Sequence, residues 1–220
     1  MALVTGAAQG IGQAIAVALA QRGAQVIATD LTPPHETAEK IGPAARAFQL
    51  DVTQEEDWRS VWVKSRDVGD VDIAVNNAGY FPNRSIDELD LRTWRKTLAT
   101  NLDAHFLSAK SFLPAMRKKK WGRFVGISSN MVGLAIPGMS HYIATKMGII
   151  GFMRGLANDV ASDGIDSVLN KRRCRLHNRS GNRRGRRSVS DRLERLTSRC
   201  RPIAKEFPCA RNQIRRLASD

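Results

Sequence analysis

Tyr142 and Lys146 stand four residues apart, and on a helix that spacing puts both side chains on one face. An ammonium held beside a phenol favours the phenolate. A phenol tuned in this way can take a proton from an alcohol or return one to a carbonyl. Ser129 lies shortly before this pair, just past an apolar run, where its hydroxyl could hold a substrate oxygen beside the tyrosine. A second constellation sits near the other end. Thr5-Gly6-Ala7-Ala8-Gln9-Gly10-Ile11-Gly12 spaces its glycines as GxxxGxG. Glycine permits tight turns and removes the Cβ where backbone must approach a ligand. The helix that follows aims free N–H groups and the positive end of its dipole at that place, which suits a pyrophosphate. Asp30 ends the next apolar run. A carboxylate there can accept hydrogen bonds from both ribose hydroxyls of an adenine nucleotide and would repel a 2′-phosphate. Neither Gln9, Leu31 nor Thr32 supplies a cation to attract one. The residues therefore favour NAD over NADP.

These groups need a scaffold, and the hydrophobic pattern predicts one. Short apolar runs at Ala2–Thr5, Gln25–Thr29, Ala45–Leu50, Asp72–Asn76 and Arg123–Ser128 read as strands. Helical spacing covers Ile11–Gln21, Glu55–Lys64, Leu91–Thr97 running into Leu98–Lys118, and Tyr142–Ala161. This alternation predicts an α/β fold, a Rossmann-type doubly wound parallel sheet in a three-layer α/β/α sandwich. Trp58, Trp62 and Trp94 are expected to pack helices on the sheet. Tyr80, Met131, Ile136 and Met139 flank the reacting groups and could line an apolar substrate pocket. His141 reads as a polar surface residue ahead of a helix.

Taken in order, TGAAQGIG at 5–12, Asp51-Val52, Asn76-Asn77-Ala78-Gly79, Asn101, Ser129 and Tyr142-Ile143-Ala144-Thr145-Lys146 resemble the classical short-chain dehydrogenases/reductases. Within that family the look is closest to bacterial secondary-alcohol dehydrogenases and 3-ketoacyl reductases. The resemblance implies Asn101, Ser129, Tyr142 and Lys146 as the catalytic set. Asn101 would hold a water that links Lys146 to solvent, and Lys146 would also bind the nicotinamide ribose. It implies a cofactor site of Gly6, Gln9, Gly10, Ile11, Gly12 and Asp30. Asp51 would take the adenine amino group and Val52 the ring. Asn77, Ala78 and Gly79 would line the ribose, while Asn76 would tie strands together and Ser128 would support. The substrate would be a small secondary alcohol or ketone, and the assembly a homo-oligomer, a tetramer in the family.

Composition bounds the reading. The chain has 220 residues, and with 42% of them apolar a packed core is attainable. No run of about 18 apolar residues exists, and the first residues carry no basic-then-apolar leader, so a cytoplasmic protein without a membrane span is expected. The net charge of +14 invites a nucleic-acid reading, but residues 1–165 hold 18 Lys+Arg against 16 Asp+Glu, while 166–220 hold 17 against 5. The later stretch contains 15 arginines and all three cysteines, Cys174, Cys200 and Cys209. Their spacing fits no zinc pattern, and no metal site is expected. After Gly164 the family's next strand and its Pro-Gly turn are replaced by Asp166-Ser167-Val168-Leu169-Asn170-Lys171-Arg172-Arg173. Two segments are therefore expected: a dinucleotide-binding domain over 1–165, and an Arg-rich, disordered or non-native tail over 166–220 that arises from a shifted reading frame near codon 166. On that view the C-terminal strands are missing or disrupted. The leading function is an NAD-dependent short-chain oxidoreductase acting on a secondary alcohol or ketone. The alternatives are a non-catalytic truncated or frameshifted derivative that at most binds NAD, and a basic tail that binds nucleic acid or a membrane surface.

Overall fold

Six strands, all parallel, lie in the order β3-β2-β1-β4-β5-β6 in the computed structural model. It describes residues 1–134 and 136–169. The strands are β1 (Ala2–Thr5), β2 (Val26–Asp30), β3 (Ala45–Gln49), β4 (Ile73–Asn76), β5 (Gly122–Gly126) and β6 (Ile165–Leu169). The helices are α1 (Gly10–Ala20), α2 (His35–Ile41), α3 (Glu55–Ser65), α4 (Leu91–Leu98), α5 (Ala104–Lys119) and α6 (Ser140–Asp159). This is the doubly wound architecture that the strand and helix alternation predicts.

Side-chain alternation along each strand builds two apolar layers. Leu3, Ile27, Ala74 and Phe124 meet Trp58 and Val61 of α3, Phe112 and Met116 of α5, and Ile149 and Met153 of α6. Their immediate neighbours Val4, Val26, Ala28 and Val75 meet Ile15, Ala16 and Leu19 of α1 and Ile41 of α2 on the opposite face. A strand buried on both faces needs a continuous apolar run, and β1 is buried at all four positions. Trp58 is a keystone of the first layer. Its ring meets Phe112 edge-on at 6.1 Å, and its Nε1 donates to the Val52 carbonyl at 3.0 Å.

Three features differ from expectation. The polar segment His35–Ile41 is helical, stopped by Gly42 at φ +82°. Between α4 and α5 the helix widens into a π turn over Ala99–Asp103, a local insertion of the kind that re-aims side chains at functional sites. The sixth strand exists: Ile165–Leu169 pairs with Gly122–Gly126 throughout. The expectation that order ends at 165 is therefore corrected. Val168 and Leu169 extend β5's ladder, and Ser167 Oγ donates to the Met153 carbonyl of α6 at 2.9 Å. The three cysteines and the Arg-rich stretch lie outside the described residues.

Candidate active site

In such sheets, ligands bind beyond the carboxyl ends of the strands, where the strand order reverses. Here that point lies between β1 and β4. A cleft of about 1290 Å³ opens there.

One end of the cleft is the β1–α1 turn. Gly6 and Gly10 have φ of +63° and +57°, the left-handed region that glycine tolerates. A Cβ on Gly6 would stand 2.9 Å from the Ala78 Cα, and one on Gly12 would collide with the Gly6 carbonyl. A Cβ on Gly10 would meet nothing within 4 Å. Gly6, Gln9, Gly10 and Ile11 line the cleft, whereas Gly12 lets α1 close onto the turn. Gln9, the N-cap of α1, makes no side-chain capping bond, and the first turn carries no acid. The leading N–H groups of α1 are thus left for an anion, and the cradle fits a pyrophosphate.

Asp30 sits beside this turn. Its Oδ2 accepts from Ala8 N at 2.9 Å and its Oδ1 from Leu31 N at 2.8 Å. Both oxygens keep lone pairs for further donors, and the residue lines the cleft. Asp51 Oδ1 accepts from Thr53 N and Thr53 Oγ1 at 2.9 and 2.7 Å. Asp51 and Val52 form the floor at that end, with Leu50 and Thr53 beside them.

Asn77 is bonded to the glycine turn. Its Nδ2 donates to the carbonyls of Thr5 and Gly6, both at 3.0 Å. Thr5 Oγ1 in turn accepts from Asn77 N and Ala78 N, both at 3.0 Å. The Asn77 side chain therefore staples the glycine turn to the end of β4, while Asn77, Ala78 and Gly79 all border the cleft. Asn76, expected to tie strands together, has a buried carboxamide with no partner among the described residues. Its backbone carbonyl accepts from Ile127 N at 3.2 Å instead.

The groups expected to react gather at the other end. Ser129, Tyr142 and Lys146 all line the cleft. Tyr142 and Lys146 lie one turn apart on α6, with the Lys146 Nζ 5.5 Å from the phenol ring centre. Nζ donates to the Ile127 carbonyl at 2.8 Å. Burial pushes the Lys146 ammonium down to about 8 from its ordinary 10.5. Ser129 Oγ accepts from Met131 N at 3.2 Å, which orients the hydroxyl and leaves its proton to donate to a substrate oxygen. Ser128 Oγ donates to the Lys146 carbonyl at 3.1 Å, the supporting role expected of it.

Asn101 lies in the π turn, fully buried and away from the cleft wall. Its Oδ1 accepts from Tyr80 N at 2.7 Å, and its Nδ2 donates to Tyr80 O at 2.9 Å and to Thr145 Oγ1 at 3.2 Å. Thr145 Oγ1 donates to the Tyr142 carbonyl at 2.7 Å. Asn101's carboxamide thus ties the loop after β4 to the helix that carries Tyr142.

Other expectations shift. His141 is 1% exposed, inside α6, and neither ring nitrogen has a protein partner. Of the four residues expected to line a substrate pocket, Tyr80 does so, whereas Met139 is buried. Sequence reasoning missed Phe81, which lines the cleft. Leu31 is 64% exposed beside Asp30. A second groove, of about 530 Å³, runs between α3 and α5 beside Trp62. Its charges are of both signs, and none of the groups above reaches it. Among the described residues no cluster of three or more metal-ligating side chains exists.

Known proteins resemble this chain in sequence and fold. The short chain dehydrogenase family matches residues 1–169. The 3-oxoacyl-(acyl-carrier-protein) reductase FabG of Escherichia coli K12 is 40% identical over 168 residues, which span 75% of this chain and 69% of that one. Nodulation protein G of Azospirillum brasilense is 35% identical over 173 residues, spanning 75% and 70%. A crystal structure of a short-chain dehydrogenase from Streptomyces avermitilis superposes with a TM-score of 0.71 at 34% identity, covering 76% of this chain and 63% of that one.

Proposed function

Because the chain belongs to the short-chain dehydrogenase family, an oxidoreductase family, we propose that it moves a hydride between NAD and a secondary alcohol or its ketone, with Tyr142 as acid and base. One observation carries this reading. A single cleft joins the glycine turn and the Asp30 carboxylate at one end to Ser129, Tyr142 and Lys146 at the other.

NAD supplies the hydride acceptor when bound. Gly6, Gly10 and the first turn of α1 would hold its pyrophosphate. Asp30 would hold the adenine ribose, and Asp51 with Val52 the adenine. The choice of NAD over NADP rests on Asp30, whose carboxylate repels a 2′-phosphate. Ser129 donates a hydrogen bond to the substrate oxygen, and Tyr142 removes or returns the proton on that same oxygen. Lys146 keeps a positive charge near the phenolate and, at 3% exposure, is shielded from bulk water. A ketone substrate also agrees with the reductase name of the Escherichia coli relative.

The test is Tyr142→Phe. General acid–base groups contribute about 10²–10⁴-fold, so turnover with NADH and a methyl ketone should fall by at least about a hundredfold. Titrations should give unchanged NAD affinity in this variant, and weaker NADP than NAD binding in the parent. Turnover near the parent value would remove Tyr142 from the reaction.

A further inference from the structure

We propose that Phe81 is a specificity-determining residue: an aromatic wall beside the reacting oxygen that makes the site select substrates with a flat aryl group next to the carbonyl or carbinol carbon. This rests on the oxidoreductase reading above. The ring of Phe81 meets the Tyr142 ring edge-on, with centres 6.0 Å apart and planes at 61°. Yet 65% of Phe81 remains exposed, and the residue lines the cleft. A large apolar ring left open inside a concave site is the usual mark of a ligand contact.

The backbone that carries the ring is held in place from both sides. Asn101 brackets the preceding residue by bonding both the N–H and the carbonyl of Tyr80. On the far side, Arg84 N donates to the Gly138 carbonyl at 2.9 Å, and Asn83 Nδ2 reaches the Pro137 carbonyl at 3.5 Å. Gly138 has a φ of +76°, and the space a Cβ would take there is filled by the Asn83 carboxamide. The segment 80–84 is therefore pinned to the π turn at one end and to the approach to α6 at the other. Phe81 is preorganised against the catalytic phenol, and a contact that needs no ordering on binding keeps its full value.

The geometry then selects. A substrate oxygen must reach the Tyr142 hydroxyl, so the substituents on its carbon fall within reach of the neighbouring Phe81. An aryl substituent conjugated to the carbonyl is flat and can pair ring to ring in offset or edge-on fashion, and such pairs add to simple apolar contact. A saturated ring of similar size gains the apolar contact alone.

The experiment measures binding and is independent of turnover. Acetophenone and cyclohexyl methyl ketone are titrated into the chain loaded with NADH, for the parent, F81L and F81W, with NADH affinity read in the same samples. The parent should bind the aryl ketone about three- to tenfold more tightly than the saturated one. F81L, which keeps an apolar side chain without a ring, should erase that preference, and F81W should keep it. No aryl preference in the parent, no binding of either ketone, or a preference unchanged in F81L overturns the assignment. Failure of NADH itself to bind overturns the oxidoreductase reading, and this proposal with it.

Discussion

At the scale of residues, the site holds a cation where the fold would prefer none. Lys146 lies in a nearly closed position, pushed down to about 8 by burial, and among the described residues no carboxylate pairs with it. The folded chain therefore sheds this proton at a lower pH than the unfolded chain, whose lysine titrates near its ordinary 10.5. Between pH 8 and 10.5 the unfolded state binds more protons, so stability contributed by this group rises with pH and its penalty is fully present below pH 8. Lys146→Met should accordingly be more stable than the parent at pH 7, by about 3 kcal/mol, and should lose the rise in stability between pH 8 and 10.5, as read by urea unfolding across that range. Equal stability of the two at pH 7 would show that the hydrogen bond to Ile127 offsets the burial. That Tyr142 and Lys146 share a face was legible in the sequence because helical spacing fixes which side chains lie together. His141 was misread for a reason of the same kind. With α6 starting at Ser140 rather than Tyr142, His141 joins Thr145 and Ile149 on the buried stripe. His105, buried against Phe152, is pushed down to about 3 by burial first and by Lys146 second, so it stays neutral at physiological pH.

At the scale of elements, the glycine turn works because β4 arrives beside it. The spacing of the glycines showed that a close approach was needed, and the three-dimensional partner of that approach was not visible. Gly12 packs on the Gly6 carbonyl, and Asn77 donates to two carbonyls of the turn. The sequence places two asparagines in a row. Which of them leaves the strand depends on where β4 ends, and β4 ends at Asn76. This staple gives a sharp expectation. Asn77→Asp sets an acceptor against two carbonyls, whereas Asn77→Ala only removes two bonds. NAD affinity and melting temperature should both fall further for Asp than for Ala, with the Ala loss about 1–3 kcal/mol. The reverse order would mean that Asn77 acts through contact with the ribose rather than by holding the turn. The short helix α2 escaped prediction because its seven residues are mostly polar and follow two prolines. Its one buried residue, Thr37, donates to the Ala7 carbonyl at 2.8 Å and accepts from Gln13 Nε2 at 2.9 Å, contacts that only the fold reveals.

At the scale of the whole molecule, the parallel sheet and its layers followed from the alternation of elements, because right-handed crossovers leave few ways to arrange them. The sixth strand did not follow, since Asp166 and Ser167 interrupt its apolar run and its support comes from pairing with β5. The family match ends at residue 169, within a few residues of the point where arginine and cysteine become frequent. That coincidence supports a change of reading frame in this stretch. Reading the coding DNA in its other two frames downstream of codon 169 should restore a Pro-Gly turn, and two frames without one would contradict the idea. Whether the chain works as an oxidoreductase is a separate question, and it is answered directly by one measurement. Excess purified chain is mixed with NADH and acetophenone, and loss of the dihydronicotinamide absorbance is followed over a single turnover beside the Tyr142→Phe variant. The account predicts ketone-dependent loss of absorbance in the parent and at least about a hundredfold slower loss in the variant. Tight NADH binding with no ketone-dependent loss, or equal rates in the two proteins, would contradict it.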